Sequence, residues 1–213
     1  DGTNPDEKSL LYKVPIEVKE NMTIKTIIKG KNYNDSIINE FKINLEKKEN
    51  YKVYLSYSDD SGIQDIVNLL GSKFEEYGIT VYKNGKNDNI NTRIIKAKNN
   101  NVDLYLSIGL NNDQNEEKCG IESWIKSINS LSYSLVNIIH NDLINIYPKE
   151  ECNSSIKYFG NVYEELKMNS ISLSMLINLG YKNNEDDIFW LSNNKEEITE
   201  VISNSIIKYF DLF

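Results

Sequence analysis

The stretch Val102-Asp-Leu-Tyr-Leu-Ser-Ile-Gly-Leu-Asn111 constrains the fold of this chain more than any other. Its β-branched, aliphatic and aromatic residues lie between polar loops, the pattern of a strand buried on both faces of a sheet. A strand of that kind needs helices above and below it, and in such open sheets the working groups sit just past the carboxyl ends of the strands. The run is expected to stop at Gly109, so the residue after Ile108 is the one to watch.

The rest of the chain repeats the alternation. Lys52-Val-Tyr-Leu-Ser-Tyr57 reads as a strand, and residues 62–77 as a helix burying Ile63, Ile66, Val67, Leu70 and Phe74 before Gly78. Residues 79–82 form the next strand, and a short helix carries Arg93, Ile94 and Ala97 into the central strand. A strand at 120–125, a helix at 131–147 ended by Pro148, a strand at 170–178 and a closing helix at 195–210 complete the series. The predicted class is α/β, a mostly parallel sheet with helices on both faces, over residues 51–213. Residues 1–50 read as an N-terminal arm: a polar start, two short strands at 13–18 (demoted to an edge by Pro15) and 23–28, and a helix over 34–47 carrying Ile37, Ile38, Phe41 and Leu45 behind Asp35. The arm either covers the main domain or holds a partner.

Composition narrows the partners. A formal net charge of −8 argues against nucleic acid, which needs a basic face, and against anionic lipid. No apolar run approaches the roughly 20 residues that span a bilayer. The chain starts Asp-Gly-Thr-Asn-Pro without methionine, which fits removal of a signal or anchor. Its two cysteines, Cys119 and Cys152, allow one disulfide; both lie in polar segments where buried thiols are not expected, and the single histidine, His140, cannot complete a metal set with them. His140 is expected half-exposed on its helix.

Arg93, Ala97 and Asp103 ahead of the central strand, Ser107-Ile-Gly-Leu-Asn111 at its end and Gly120-Ile-Glu-Ser-Trp124 beyond it resemble the heart of the zinc-dependent N-acetylmuramoyl-L-alanine amidases. These are bacterial cell-wall hydrolases whose central strand ends Ser-Ile-His-Ala-Asn. The resemblance runs from Tyr51 to the end and implies an amidase-like fold. It places Asp59, in Ser56-Tyr-Ser-Asp-Asp-Ser61, at the first zinc ligand, Gln64, four before Asn68-Leu69, at the second, and Gly109 at the third. The family's catalytic glutamate, which precedes Gly-Phe, falls on Asn178 of Leu176-Ile-Asn-Leu-Gly-Tyr181.

Zinc in catalysis is held by three protein ligands at about 2.0–2.2 Å, and one carboxylate with a neutral amide and a glycine does not supply them. An asparagine takes up no proton near neutral pH, so Asn178 cannot serve as general base. What the resemblance implies here is therefore a catalytically inactive relative, without cofactor or metal, that binds peptidoglycan or an envelope or spore protein outside the cytoplasm. The binding rim would be Tyr57, Arg93, Asn111, Glu122 and Tyr181, with Tyr54 and Tyr105 also flanking the pocket. The alternative is an active hydrolase with a relocated metal site built on Asp59, Asp60 and Glu122. Taken singly, Asp59 reads as a helix cap, Gln64 as a surface residue, Asn178 as a turn residue at a strand end and Arg93 as a local partner of Asp103. In the resembled fold the two cysteines approach one rim, and a bridge in an oxidising compartment would close a loop worth roughly 3 kcal/mol.

Overall fold

Alternation with a period of two decides the N-terminal segment. Strand β1 (Met22–Thr26) pairs antiparallel with β2 (Asn39–Ile43), setting Met22 opposite Ile43 and Ile24 opposite Phe41, so the apolar side chains share one face while Thr23, Lys25, Glu40 and Lys42 share the other. The helix expected over 34–47 is therefore corrected to a strand: Phe41 and Ile43 alternate with charged residues, and that period outweighs the helical spacing of Ile37, Ile38 and Phe41. The computed structural model describes all residues except 1, 2, 14, 15, 17, 19, 32, 33, 45–47, 61, 159–162, 169, 212 and 213. The expected strand at 13–18, with Pro15, and the position of Leu45 fall on or across those excluded. The chain divides into two compact units, Asp1–Glu49 and Asn50–Phe213.

The larger unit is built on β3 (Lys52–Tyr57), β4 (Thr80–Lys83), β5 (Leu104–Asn111), β6 (Glu122–Ile125), β7 (Ser155–Tyr158) and β8 (Leu173–Tyr181). They form one sheet in the order β4-β3-β5-β8-β6-β7, parallel throughout except where β6 runs against β8. The 102–111 run thus lies inside the sheet, as its composition requires. Its strand does not stop at Gly109, however; it continues to Asn111, with an irregular register after Gly109. Likewise β8 runs on to Tyr181, so Asn178 sits within a strand and not in a turn at its end.

Helices α1 (Ile63–Glu76), α3 (Ser132–Ile146) and α5 (Lys195–Tyr209) pack together on one face, over the row Val53, Leu55, Leu104, Leu106 and Ile108. Their apolar residues recur at helical spacing; in α1, Ile63, Ile66, Val67, Leu70 and Phe74 are all fully buried, and each such side chain contributes about 1.5–3 kcal/mol. Gly78, at φ 74°, closes that helix in the left-handed conformation. The opposite face carries Tyr54 and Tyr105, covered by α2 (Ile90–Asn99) and a 3-10 turn at Glu164–Lys167. A further helix, α4 (Glu185–Asn193), precedes α5 and was not foreseen; the Asn184 side chain caps it by accepting the Asp187 amide.

Candidate functional site

The β5/β8 register sets Gly109 directly beside Asn178, and β6 sets Glu122 on the other side of Asn178. Ser58, just past β3, donates its amide to the Ile108 carbonyl, which brings the turn carrying Asp59 to the same end of the sheet. A side chain at position 109 would find its Cβ 3.3 Å from both the Asn178 Oδ1 and the Ser58 Oγ, so the missing side chain is what lets these two groups close in. Asn178 is buried and donates to the Asn111 Oδ1 at 2.6 Å. The Ser58 hydroxyl and the Asn111 side-chain nitrogen are buried without partners among the described residues.

Asp59 and Gln64 are exposed. Asp59 is not the cap of α1: the capping position is Gly62, at φ 85°, and no side chain bonds there. Among the described residues no three His, Cys, Asp or Glu side chains come together as metal ligands.

Glu122 is the charged centre of this end of the sheet. It is only 5% exposed, yet its Oε1 accepts from the Lys157 ammonium and from the Tyr181 hydroxyl (2.8 Å), and its Oε2 accepts from the Trp124 indole (3.2 Å). Burial pushes its pKa up, but the donors from Lys157 and Tyr181 together outweigh that and hold the carboxyl below its ordinary range. Lys157 also lies 5.0 Å from the Trp124 ring centre, a cation–π contact. Asn111, Glu122, Lys157 and Tyr181 line a cavity of about 450 Å³ whose wall includes Cys119 and Cys152. These cysteines form a disulfide, with Cα atoms 5.2 Å apart. Cys152 is buried, contrary to its polar surroundings in sequence, because the Tyr147 hydroxyl and the bridge itself cover it.

A second buried carboxylate fastens this rim from below. Asp187, fully buried, accepts the amides of Gly120 (3.2 Å) and Tyr181 (2.7 Å) and the hydroxyl of Tyr147. It thereby joins the residue after Cys119, the last residue of β8 and the end of α3. Nothing in the sequence marked it beyond the acidic run after Asn184, which reads as an ordinary helix start.

Other expected rim residues lie elsewhere. Tyr57 is 9% exposed and belongs to the core under α1, while its backbone is held by Asn84. Tyr54 and Tyr105 are fully buried on the far face, stacked 5.4 Å apart, and Tyr105 donates to the buried Glu165 at 2.6 Å. Burial pushes the Tyr54 phenol up to about 12. Arg93 serves the same layer: it donates to the carbonyls of Asp88 and Tyr57 and to Ser56, whose hydroxyl also bonds Glu165. Asp103, its expected partner, accepts the Lys52 amide.

His140 is buried, not half-exposed, and its Nδ1 shares a hydrogen bond of 2.9 Å with Ser123. Burial lowers its pKa from 6.5 to about 4. A depressed native pKa means the folded state is favoured fully above about pH 6.5 and loses that advantage as pH falls towards 4. Between about pH 7.5 and about pH 5 the chain should lose roughly 2 kcal/mol from this residue alone. Urea unfolding of the wild type and of His140→Leu across that interval checks it; equal pH slopes in the two proteins would show that His140 carries no such linkage.

Comparison with known proteins gives a consistent result. The model of the N-acetylmuramoyl-L-alanine amidase family (Amidase_3) matches residues 19–208. No curated protein matches the chain by sequence. Among solved structures, the chain is similar to the amidase AmiC2 of Nostoc punctiforme (18% identity, TM-score 0.62, covering 76% of this chain and 97% of that one). It is similar also to the catalytic domain of CwlV, an amidase from Bacillus (Paenibacillus) polymyxa var. colistinus (17%, 0.62, 76% and 99%). A third is the CwlD amidase from Clostridioides difficile, solved in complex with the GerS lipoprotein (21%, 0.63, 76% and 100%). At these identities the likeness establishes the fold.

Proposed function

The chain belongs to the N-acetylmuramoyl-L-alanine amidase family, and from that premise we propose that it is a member that binds peptidoglycan outside the cytoplasm without cutting it. The observation that carries this reading is the pair Gly109 and Asn178. They are direct neighbours in the sheet, where the family resemblance puts a zinc ligand and the catalytic glutamate, and they offer a bare α-carbon and a neutral amide. With Asp59 as the one anionic donor and Gln64 as a neutral amide, the four positions do not fit zinc, which requires three good ligands. Asn178 is also committed to Asn111 and takes up no proton.

A relocated hydrolytic site on Asp59, Asp60 and Glu122 draws support from one fact, the burial of Glu122 at the head of a cavity. That carboxylate, however, is occupied by Lys157, Tyr181 and Trp124, and a metal would have to displace all three. The disulfide accords with an oxidising, extracytoplasmic setting. No helix among the described residues is long and apolar enough to cross a membrane. Because the CwlD amidase was solved with a lipoprotein, an envelope or spore protein is the rival partner.

Sacculus pull-down separates the two, since a protein scaffold leaves the sacculi unbound while the proposed binder sediments with them. In parallel, metal analysis after dialysis should find far less than one zinc per chain, and no peptide should be released. Stoichiometric zinc together with chelator-sensitive amide cleavage would falsify the reading of an inactive member.

A further inference from the structure

The hairpin of the N-terminal unit is an incomplete sheet. Strands β1 and β2 pair only with each other among the described residues, so each leaves one edge of backbone donors and acceptors open. A two-stranded sheet is marginal by itself, and three or more strands over an apolar face are what make one stable. The open edge of β2 is suited to extension. Its residues 39–42 are exposed, Phe41 at 57%, and Phe41 stands on the same face as Met22, Ile24 and Ile43.

Charge decides which partner that edge fits. If β2 pairs antiparallel with its own copy about a two-fold axis through Phe41, Glu40 of each copy lies directly opposite Lys42 of the other, and Phe41 lies opposite Phe41. The two neighbouring registers set Glu40 against Glu40 or Lys42 against Lys42, so the strand is charge-complementary to itself in one register only. Within a single copy the two side chains come only to 3.9 Å and stay exposed, 44% for Glu40 and 76% for Lys42. Residues 1–50 hold nine acidic and nine basic side chains, so the net charge of −8 lies wholly on the rest of the chain. Copies of the larger unit therefore repel one another, and the neutral hairpin is where two chains can approach.

We propose that two copies of this chain associate through β2, forming a four-stranded antiparallel sheet in the order β1-β2-β2-β1. The contact is isologous, with Glu40 of each copy meeting Lys42 of the other. Joining the hairpins doubles the apolar face and gives each Phe41 an aromatic neighbour across the new pair. The inference stands apart from the question of what the larger unit binds.

Sedimentation velocity on the whole chain should show a reversible monomer–dimer equilibrium below about 1 mM. Lys42→Glu faces only Thr23 inside its own hairpin, but it turns both pairs between copies repulsive and should weaken the dimer about thirtyfold. The double variant Lys25→Glu/Glu40→Lys should weaken it as much with the opposite sign, since exchanging both residues keeps an opposite-charge pair within the hairpin. An equimolar mixture of the two variants should recover wild-type association as a heterodimer, which a mere loss of folding could not produce. Monomers alone up to about 1 mM overturn the assignment and leave the edge to a strand of another protein. A dimer that Lys42→Glu leaves unchanged, or a mixture no more associated than its two components, also overturns it, because the contact then does not run through Glu40 and Lys42.

Discussion

Replacing Asp187 by alanine should remove about 4 kcal/mol of stability, the largest loss expected from any single side chain at this end of the sheet. Three donors lose their acceptor at once: the amides of Gly120 and Tyr181 and the hydroxyl of Tyr147. All three are buried with it, so water cannot replace the carboxylate without loosening the packing. A domain stable by about 5–15 kcal/mol would then stand close to unfolding at 37 °C. The same carboxylate also fixes Gly180, at φ 143°, as glycine: a Cβ there would lie 2.8 Å from the Asp187 Cβ, so Gly180→Ala should be strongly destabilising as well. Asp187→Asn retains one acceptor and should cost less than Asp187→Ala. Denaturant midpoints measure both; a loss under about 1 kcal/mol for alanine would mean the carboxylate contributes little beyond its volume.

The second large effect is a gain. Combining Asp59→His, Gln64→Glu, Gly109→His and Asn178→Glu should raise bound zinc from far below one to about one per chain, as three ligands and an open fourth position become available. The sheet already holds positions 109 and 178 as neighbours and brings the turn after β3 alongside them. One obstacle is foreseeable. The Cβ introduced at 109 would lie 3.3 Å from the Ser58 Oγ, so adding Ser58→Gly should improve metal occupancy over the four changes alone. Metal analysis and zinc-edge spectroscopy give the readout. Failure of the folded five-fold variant to hold zinc would show that the four positions no longer face one point, and the assignment of the former ligand positions would fall with it.

Much of this architecture was legible because burial leaves a periodic trace. The central strand, α1 and the closing helix follow from uninterrupted apolar runs or from spacing at three and four residues, and each is where its pattern puts it. What escaped was short or polar. Strand β7 offers one aliphatic residue, Ile156, among Ser155, Lys157 and Tyr158, too few to show a period. In α4 the apolar residues Ile188, Phe189, Trp190 and Leu191 are consecutive and show no helical spacing.

The site divides in the same way. That Gly109 and Asn178 meet was anticipated only through the family resemblance, which puts both at one site; that their strands are neighbours, β5 beside β8, is not written in either strand's own pattern. Lys157 could not be anticipated, because its pairing with Glu122 joins two short strands 35 residues apart, and a lysine in a polar stretch carries no mark of its partner. The tyrosines misled for a related reason. In a strand buried on both faces, alternation no longer separates inside from outside, so Tyr54 and Tyr105 looked like rim residues while filling the far layer.

The Cys119–Cys152 bridge encloses β6 and α3 in a covalent ring, and the segment between those two elements carries Ile128 and Leu131, 53% and 69% exposed. A protease that cuts there divides the polypeptide without dividing the molecule. The two pieces remain tethered at the cavity wall and migrate as one band until a reductant is added, so the cavity would outlast the integrity of the chain that carries it.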